Sequence, residues 1–282
     1  MVYIEIKAPA KINIGLNILS KRLDGYNNLS TLFYPIEDLF DILTFRPADR
    51  FEFVCNDINI PQDDSNIVVK AKQLLESAAG KPINAKITLE KRIPSQAGLG
   101  GGSSDAAATL ISLNEMFKLN FKHNQLISLS LHLGSDVPFF IKSIPAIGTS
   151  RGEILEYVDL EIKKPIVIIN PKINISTKEA YQNIVPAEIQ LNYHDLIKEG
   201  KFNFNTAKNS LKNDFEGYIF EKYKEIGNIK QSLYAHGALF ASMSGSGSTV
   251  FGIFPNNETA LLAAKTFPGS YFIFISNLTD LI

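Results

Sequence analysis

Between residues 86–91 (Lys-Ile-Thr-Leu-Glu-Lys), which alternate apolar and polar, and an alanine-rich helical run lies Pro94-Ser-Gln-Ala-Gly-Leu-Gly-Gly-Gly-Ser-Ser-Asp105. Gly98, Gly100, Gly101 and Gly102 fall within it. A chain with this segment must set a strand end, a tight glycine turn and a helix start in immediate succession. Glycine reaches backbone angles closed to other residues and lets a ligand approach the main chain. Consecutive amides in such a turn form a concave nest, and the helix N-terminus behind adds the positive end of a dipole. Phosphate is the anion that suits it best. Glycines alone read equally as a pliable turn, but the flanks favour binding. The alternation before the loop is that of a half-buried strand; after it, Ala106, Ala107, Leu110, Leu113, Met116 and Phe117 recur at helical spacing. Ser103 or Ser104 is the expected N-cap.

The better-known glycine motifs do not fit. A Walker A loop needs Lys and then Ser/Thr after its last glycine; here Ser103, Ser104 and Asp105 follow Gly102. The G-x-G-x-x-G spacing of dinucleotide folds fails as well. A protein kinase needs H-R-D and D-F-G elements; the nearest string is Asp214-Phe215-Glu216, and H-R-D is absent.

With 282 residues, two lobes are the natural expectation. The balance of 28 basic against 29 acidic residues argues against a surface that coats nucleic acid. Lys21-Arg22 and Lys163-Lys164 are pairs, read as solvated faces. The single cysteine, Cys55, excludes internal disulfides and metal knuckles and is expected to pack as a small hydrophobe. Met1–Lys7 alternates like a strand and lacks the apolar stretch of a signal peptide. The most apolar segments, such as Pro165–Ile169, are too short to span a bilayer. A soluble, cytoplasmic protein without membrane or nucleic-acid partners is therefore expected.

Strand-like runs fill the first third, at 3–7, 11–19, 29–35, 39–46 and 50–54. Residues 66–78 read as a helix with Ile67, Ala71, Leu74, Leu75 and Ala78 on one side, and 124–133 as another ending near Gly134. Strand-like Ile166–Ile169 opens a second half with helical patterns at 177–183, 206–213, 218–225, 228–235 and 258–266. Strands are expected there near 238–243, 248–254 and 271–275. Strands and helices do not alternate strictly, so the class is α+β rather than a doubly wound parallel sheet.

Three further segments carry chemistry. In Ala8-Pro-Ala-Lys-Ile-Asn-Ile-Gly-Leu16, Lys11 and Asn13 sit two apart on a strand and project from one face, which is either a functional pair or an exposed edge with solvated polar groups, the latter being the expectation for Lys11 taken alone; Arg22-Leu-Asp-Gly-Tyr26 follows. Asp136, in Gly134-Ser-Asp-Val-Pro-Phe-Phe140, lies between a turn glycine and an apolar run, where it is either a partly desolvated reactive carboxylate or a turn or cap aspartate. Met243-Ser-Gly-Ser-Gly-Ser-Thr-Val-Phe251 is a second glycine-rich loop entering a strand.

Pro-Ala-Lys-Ile-Asn near the start, Gly-Leu-Gly-Gly-Gly-Ser-Ser in the middle and Ser-Gly-Ser-Gly near the end, in that order, resemble the GHMP small-molecule kinases. The likeness runs from residue 8 to about residue 254. It implies an α+β, two-lobed GHMP kinase fold, with a ribosomal-protein-S5-domain-2-like ATP-binding domain at 1–155, a substrate-binding domain at 156–282 and the active site in the cleft. Asp24-Gly-Tyr26, the triple glycine and Gly134–Phe139 point, within that superfamily, to a small-molecule substrate of cytidine-diphosphate-linked methylerythritol type.

The resemblance also implies roles. ATP with Mg2+ is the expected co-substrate pair. Its phosphates fall to Pro94, Ser95, Gln96, Ala97, Gly98, Leu99, Gly100, Gly101, Gly102, Ser103 and Ser104, with Asn66 and Asn114 associated with the adenine pocket. Asp136 is the implied base for the attacking hydroxyl, with Lys11 beside it; Tyr26 and Tyr181 flank the cytosine, with Asn13 and Asn27 also on the substrate. Gly245, Ser246 and Gly247 make the second glycine loop. Two positions depart from the family pattern: Asn27 stands where His is usual, and Gln96 where a small residue is usual. Asn offers both a donor and an acceptor to a base. His123, His132, His194 and His236 show no ligand spacing, so no protein metal site is expected. A monomer or weak dimer goes with this reading. The alternatives are a GHMP kinase for homoserine, mevalonate or a sugar, and a catalytically inactive nucleotide sensor.

Overall fold

The alternating runs between residues 3 and 46 form two long strands, not the four short ones expected from their pattern. In the computed structural model, which describes residues 3–187 and 192–278, β1 covers Ile4–Lys21 and β2 covers Asn27–Pro47. Met1 and Val2, where the alternating run begins, lie outside the described residues. The pattern breaks at Pro9 in one strand and at Pro35 and Glu37-Asp38 in the other. Among the described residues β1 makes its ladder with β2 alone, apart from an isolated bridge of Leu16 with Asn213, so Pro9 stands at an edge where proline is tolerated. Asp38 is used rather than merely solvated: its carboxylate accepts from Ser276 Oγ at 2.6 Å and the Asn277 amide at 3.0 Å.

After β2 come β3 (Glu52–Cys55), α1 (Ile67–Ala79), β4 (Ala85–Glu90) and, beyond the glycine loop, α2 (Gly101–Met116). Next are α3 (His123–Ser130), α4 (Val137–Lys142), β5 (Ala146–Thr149) and β6 (Ile154–Tyr157). β7 (Ile166–Asn170) and α5 (Thr177–Gln182) lead to a 3-10 turn at Tyr193–Leu196. The short pair β8 (Ile197–Lys198) and β9 (Lys201–Phe202) precedes α6 (Phe204–Ser210), α7 (Phe215–Lys222) and α8 (Lys224–Ala235). β10 (Phe240–Met243), β11 (Val250–Ile253), α9 (Asn257–Ala264) and β12 (Phe272–Ser276) are the last elements among the described residues. The class is α+β, as expected. Short α4, β5, β6, β8 and β9 have no counterpart in the sequence reading.

The chain forms two compact units, each discontinuous in sequence. One holds Met1–Ala10, Leu39–Ser95 and Gly100–Ile144; the other holds Lys11–Asp38, Gln96–Leu99 and Pro145–Ile282. In the first unit β4 lies between β3, parallel with Glu52 opposite Lys86, and residues 42–47 of β2, antiparallel with Ile42 opposite Glu90. α2 packs against α1 and α4, and its successive Ala106, Ala107 and Ala108, which point in different directions around the helix, are all buried. α1 starts where the Asn66 side chain accepts from the Val68 amide and stops at left-handed Gly80, φ 63°.

In the second unit residues 31–33 of β2 pair antiparallel with β5, and β5 with β6. A separate antiparallel sheet runs β10-β11-β7-β12. β7 is buried along its whole length between β11 and β12, hence its unbroken apolar run. Ile18, Val167, Phe215, Leu233, Met243 and Phe254 belong to one core cluster there. Cys55 is buried, and burial above all pushes its thiol up from the ordinary range. Among the described residues no helix is long and apolar enough to cross a membrane.

Candidate active site

Lys11 and Asn13 share a face of β1, and both are buried, at 3% and 2% exposure. A buried ammonium needs partners. Lys11 Nζ donates to Asn13 Oδ1 at 2.5 Å and to the Gly98 carbonyl at 3.1 Å, and stands 5.6 Å from the centre of the Phe33 ring. The Lys11 amide donates to the Leu99 carbonyl at 2.9 Å, so β1 lies directly along residues 98–99. Asn13 Nδ2 donates to Thr31 Oγ1 at 3.0 Å, and that hydroxyl donates to the Gly15 carbonyl at 2.6 Å.

The second glycine loop closes on the same residues. Ser244 Oγ donates to the Gly98 carbonyl at 2.8 Å and accepts from the Asn13 amide at 3.2 Å. The Thr249 amide reaches the Ala97 carbonyl at 3.2 Å. Gly98 has φ 79°, and a Cβ there would lie 2.1 Å from the Ser244 carbonyl oxygen, so angle and space both demand glycine. A Cβ on Gly245 would lie 3.4 Å from both Asn13 Oδ1 and Gly98 Cα. Ser246 Oγ is 3.0 Å from Thr177 Oγ1, which joins this loop, beside Gly247, to the start of α5. α5 carries Tyr181, half-buried and edge-on to Phe215 with centroids 4.9 Å apart. Tyr26 is exposed, with the Arg151 guanidinium 4.8 Å from its ring centre; Asn27, partly buried, opens β2. The second unit therefore gathers Lys11, Asn13, Ala97, Gly98, Leu99 and the second glycine loop into one hydrogen-bonded set, to which Thr177 ties the helix of Tyr181.

The first unit supplies the remainder of the first glycine loop. Its helix starts earlier than expected: Gly100, left-handed at φ 72°, is the N-cap of α2, and the Ser104 amide already bonds back to the Gly100 carbonyl. Ser103 and Ser104 thus lie inside the first turns, not at the cap, because the turn into the helix is made by a glycine backbone rather than a hydroxyl. Ser104 Oγ is buried without a hydrogen-bond partner. Ahead of the loop come half-buried Pro94, exposed Ser95 and exposed Gln96, the last in the left-handed region at φ 53°.

Beneath this helix start lies a buried ionic group that sequence reading missed. Lys91 Nζ bonds Asp41 Oδ2 at 2.5 Å and Asp105 Oδ2 at 2.9 Å. Asp41 Oδ1 accepts the amides of Arg92 and Ile93 at 2.6 and 2.9 Å, which fixes the chain just before Pro94. A Cβ on Gly101 would come within 3.1 Å of Lys91 Nζ, so the ammonium sits against the first residue of α2. Burial raises the Asp105 carboxyl to about 7; Lys91 opposes that rise and Asp41 adds to it. Burial works against the Lys91 ammonium, yet Asp105 and Asp41 outweigh it and raise its pKa.

Asp136 occupies the N-cap position of α4, half-buried, but makes no side-chain capping bond, so its carboxylate is not serving as a cap. Asn66 and Asn114 are occupied with the backbone. Asn66 caps α1 and donates to the Pro61 carbonyl at 2.6 Å. Asn114 donates to the Phe121 carbonyl at 3.1 Å and accepts from its amide at 3.0 Å. Of the residues sequence reading passed over, Ser244 had a signal, since it sits in the second glycine-rich motif, whereas Thr31 is tied to Asn13 only by the fold. Asp41 had none, because its partners are 50 or more residues away.

Comparison with known proteins matches residues 66–143 to the GHMP kinases N terminal domain and residues 195–271 to the GHMP kinases C terminal. The chain is 41% identical over 272 residues to a 4-diphosphocytidyl-2-C-methyl-D-erythritol kinase of Chlorobium chlorochromatii, covering 95% of this chain and 94% of that one. It is 44% identical over 259 residues to the Bacteroides thetaiotaomicron protein of the same name, covering 89% and 92%. A crystal structure of 4-(cytidine 5'-diphospho)-2C-methyl-D-erythritol kinase superposes with TM-score 0.81 at 32% identity over 97% of this chain and 98% of that chain. A homoserine kinase from Cytophaga hutchinsonii superposes with TM-score 0.76 at 18% identity over 97% and 94%, a likeness of fold alone.

Proposed function

The chain belongs to the GHMP kinases, and from that membership we propose that it transfers the γ-phosphoryl group of ATP to the 2-hydroxyl of 4-diphosphocytidyl-2-C-methyl-D-erythritol. The products are the 2-phosphate and ADP, a step of the non-mevalonate route to isoprenoid precursors, carried out in the cytoplasm. The observation that carries this reading is the identity of 41% with a kinase of that name, running almost the length of both chains. The homoserine and sugar readings have no comparable support.

Phosphoryl transfer depends on positioning and on stabilising charge more than on covalent chemistry by the protein. The backbone amides from Gly98 to Ser103, curved by left-handed Gly98 and Gly100 and backed by α2, are the cradle assigned to the ATP phosphates. Lys11, held on the Gly98 carbonyl, supplies a fixed positive charge for the oxyanion that develops on the acceptor. Asp136 takes the proton of the attacking hydroxyl as the new O–P bond forms. Tyr26 and Tyr181 stack on the cytosine, and Asn27 offers its edge a donor and an acceptor.

Mg2+ fits this donor set. Among the described residues no group of three or more carboxylate, imidazole or thiol side chains could hold a metal alone. Mg2+ at nucleotide sites keeps several waters and is held by substrate phosphates with one or two carboxylates, or with a phosphate-loop Ser/Thr hydroxyl as in P-loop enzymes. Ser104 Oγ, buried and without a partner, is the oxygen we assign to it. When bound with ATP, the ion neutralises phosphate charge.

The test is ADP release with ATP and each of the cytidylyl compound, homoserine and mevalonate. Turnover of the cytidylyl compound is expected; efficient turnover of either other alcohol in its absence would sink the reading. Asp136→Asn is expected to lower kcat by roughly 10²–10⁴-fold, and an unchanged kcat removes Asp136 from the chemistry. Tyr181→Ala is expected to raise KM for the substrate more than it lowers kcat, because stacking is largely uniform binding.

A further inference from the structure

Asn213-Asp-Phe-Glu216, which contains the string that fails as a protein-kinase element, has no part in the assignments above. Its side chains are nonetheless spent on the site. Asn213 is 2% exposed. Its Nδ2 donates to the carbonyls of Met243 at 2.7 Å and Gly245 at 2.8 Å, the two that flank Ser244, while Oδ1 accepts the Phe215 amide at 3.0 Å. Ser244 is the hydroxyl that joins Asn13 to Gly98. Asp214 accepts the Ile18 amide at 2.7 Å and gives its own amide to the Leu16 carbonyl at 2.9 Å, so it fixes the far end of the strand that bears Lys11 and Asn13. Phe215 supports the Tyr181 ring edge-on. Glu216 Oε1 accepts the Met243 amide at 2.9 Å and Ser242 Oγ at 3.0 Å, and Oε2 accepts from Lys230 at 2.6 Å.

Four consecutive side chains thus address the second glycine loop, the Lys11 strand, the Tyr181 ring and the strand that feeds the loop. We propose that Asn213–Glu216 is a positioning motif for phosphoryl transfer, with Asn213 setting the second glycine loop, and through Ser244 the Gly98 carbonyl, in the geometry that holds Lys11. Only a carboxamide meets the requirement at 213, since two carbonyls need donors and one amide needs an acceptor. A carboxylate of the same shape would face two carbonyl oxygens at hydrogen-bond distance and deprive both of this donor, leaving Met243 only the long 3.4 Å bond from Ser242 Oγ. The inference rests on the kinase reading but not on the identity of the alcohol.

Asn213→Asp and the milder Asn213→Ser test it, with Asn209→Asp, an exposed position on α6 given the same change of charge, as control. Two readouts are taken. One is deuterium exchange of the peptide spanning residues 243–250 in the nucleotide-free enzyme. The other is kcat and KM for ATP and for whichever alcohol the wild-type enzyme phosphorylates. For Asn213→Asp, exchange in that peptide is expected to accelerate roughly tenfold while core strands keep their protection. With it, kcat is expected to fall roughly 100-fold, the scale of a small misplacement of reacting groups, and KM for ATP to move by less than about threefold. Asn213→Ser should show the same pattern to a smaller degree, and it serves alone if the aspartate variant does not fold. Unchanged exchange overturns the proposal, as does accelerated exchange with kcat within about twofold of wild type or an equal loss in Asn209→Asp. If the wild type turns over homoserine or mevalonate instead of the cytidylyl compound, the substrate assignment falls while these measurements still decide the role of Asn213.

Discussion

Single residues at this site are fixed by backbone geometry or by buried charge, and the two kinds of constraint predict different failures. Gly98 is confined by the Ser244 carbonyl oxygen, 2.1 Å from where a Cβ would stand, and a backbone atom cannot step aside as a side chain would. Gly98→Ala should therefore destabilise by at least the ~1–3 kcal/mol typical of local backbone strain and weaken ATP binding with it. Gly25 has a similar φ of 85° but nothing within 4 Å, so Gly25→Ala should cost only about 1–2 kcal/mol and leave ATP binding intact. Thermal melts with and without ATP compare the two. Lys91, with side-chain exposure of 6%, pairs two carboxylates of 0% and 3% exposure. Lys91→Met leaves both buried without a counter-ion and should cost roughly 3–5 kcal/mol in urea unfolding. Adding Asp105→Asn to it should recover part of that loss. At this scale the sequence was legible where residues stand together in motifs, as Lys11 and Asn13 do. It was silent where a residue's meaning lies in distant partners, as with Asp41 and Asn213.

Elements were legible where one periodicity persisted and obscure where local signals conflicted with pairing. α1 declares itself through its apolar stripe, though not through its cap, and β7 through its unbroken apolar run. β1 and β2 read as broken because Pro9 and Pro35 interrupt the pattern, and it is pairing, of β1 with β2 and of β2 also with β4 and β5, that makes them continuous. α2 begins two residues before its first serine because Gly100 makes the turn. Asn66 belongs to this scale, since its side chain caps α1. Asn66→Ala should lower stability by about 1 kcal/mol, the ordinary value of a lost N-cap. If the cap is its whole role, KM for ATP stays unchanged; a raised KM with unchanged stability would assign it to the adenine pocket. Thr177 links α5 to the second glycine loop through Ser246. Thr177→Val should raise KM for the cytidylyl substrate and leave KM for ATP near its original value, as steady-state kinetics would reveal.

For the whole molecule, the class and the order of motifs came through, whereas the interleaving of the two units did not. Residues 11–38 and 96–99 belong with 145–282, although they lie far from them in sequence. Periodicity cannot express this, because the bonds that enforce it, such as Leu16 with Lys212 and Thr249 with Ala97, join residues without local relation. A fragment comprising residues 145–282 lacks β1, the start of β2 and residues 96–99. It should show no cooperative melt and little amide protection, whereas the same fragment mixed with residues 1–144 should regain both. The discontinuity also has a consequence in time. The first strand of the second unit, with Ile12, Ile14, Leu16 and Ile18 nearly inaccessible in the finished fold, leaves the ribosome well before residues 145–282 of the same unit. Asp214, which holds the Ile18 amide, follows 196 residues later. At ordinary translation speeds that interval is roughly 10–40 s, during which a strongly apolar strand has β2 to pair with but not the later residues that complete its unit. A chaperone that shields nascent chains should therefore matter more to the yield of this protein than to that of one whose units are made one after the other.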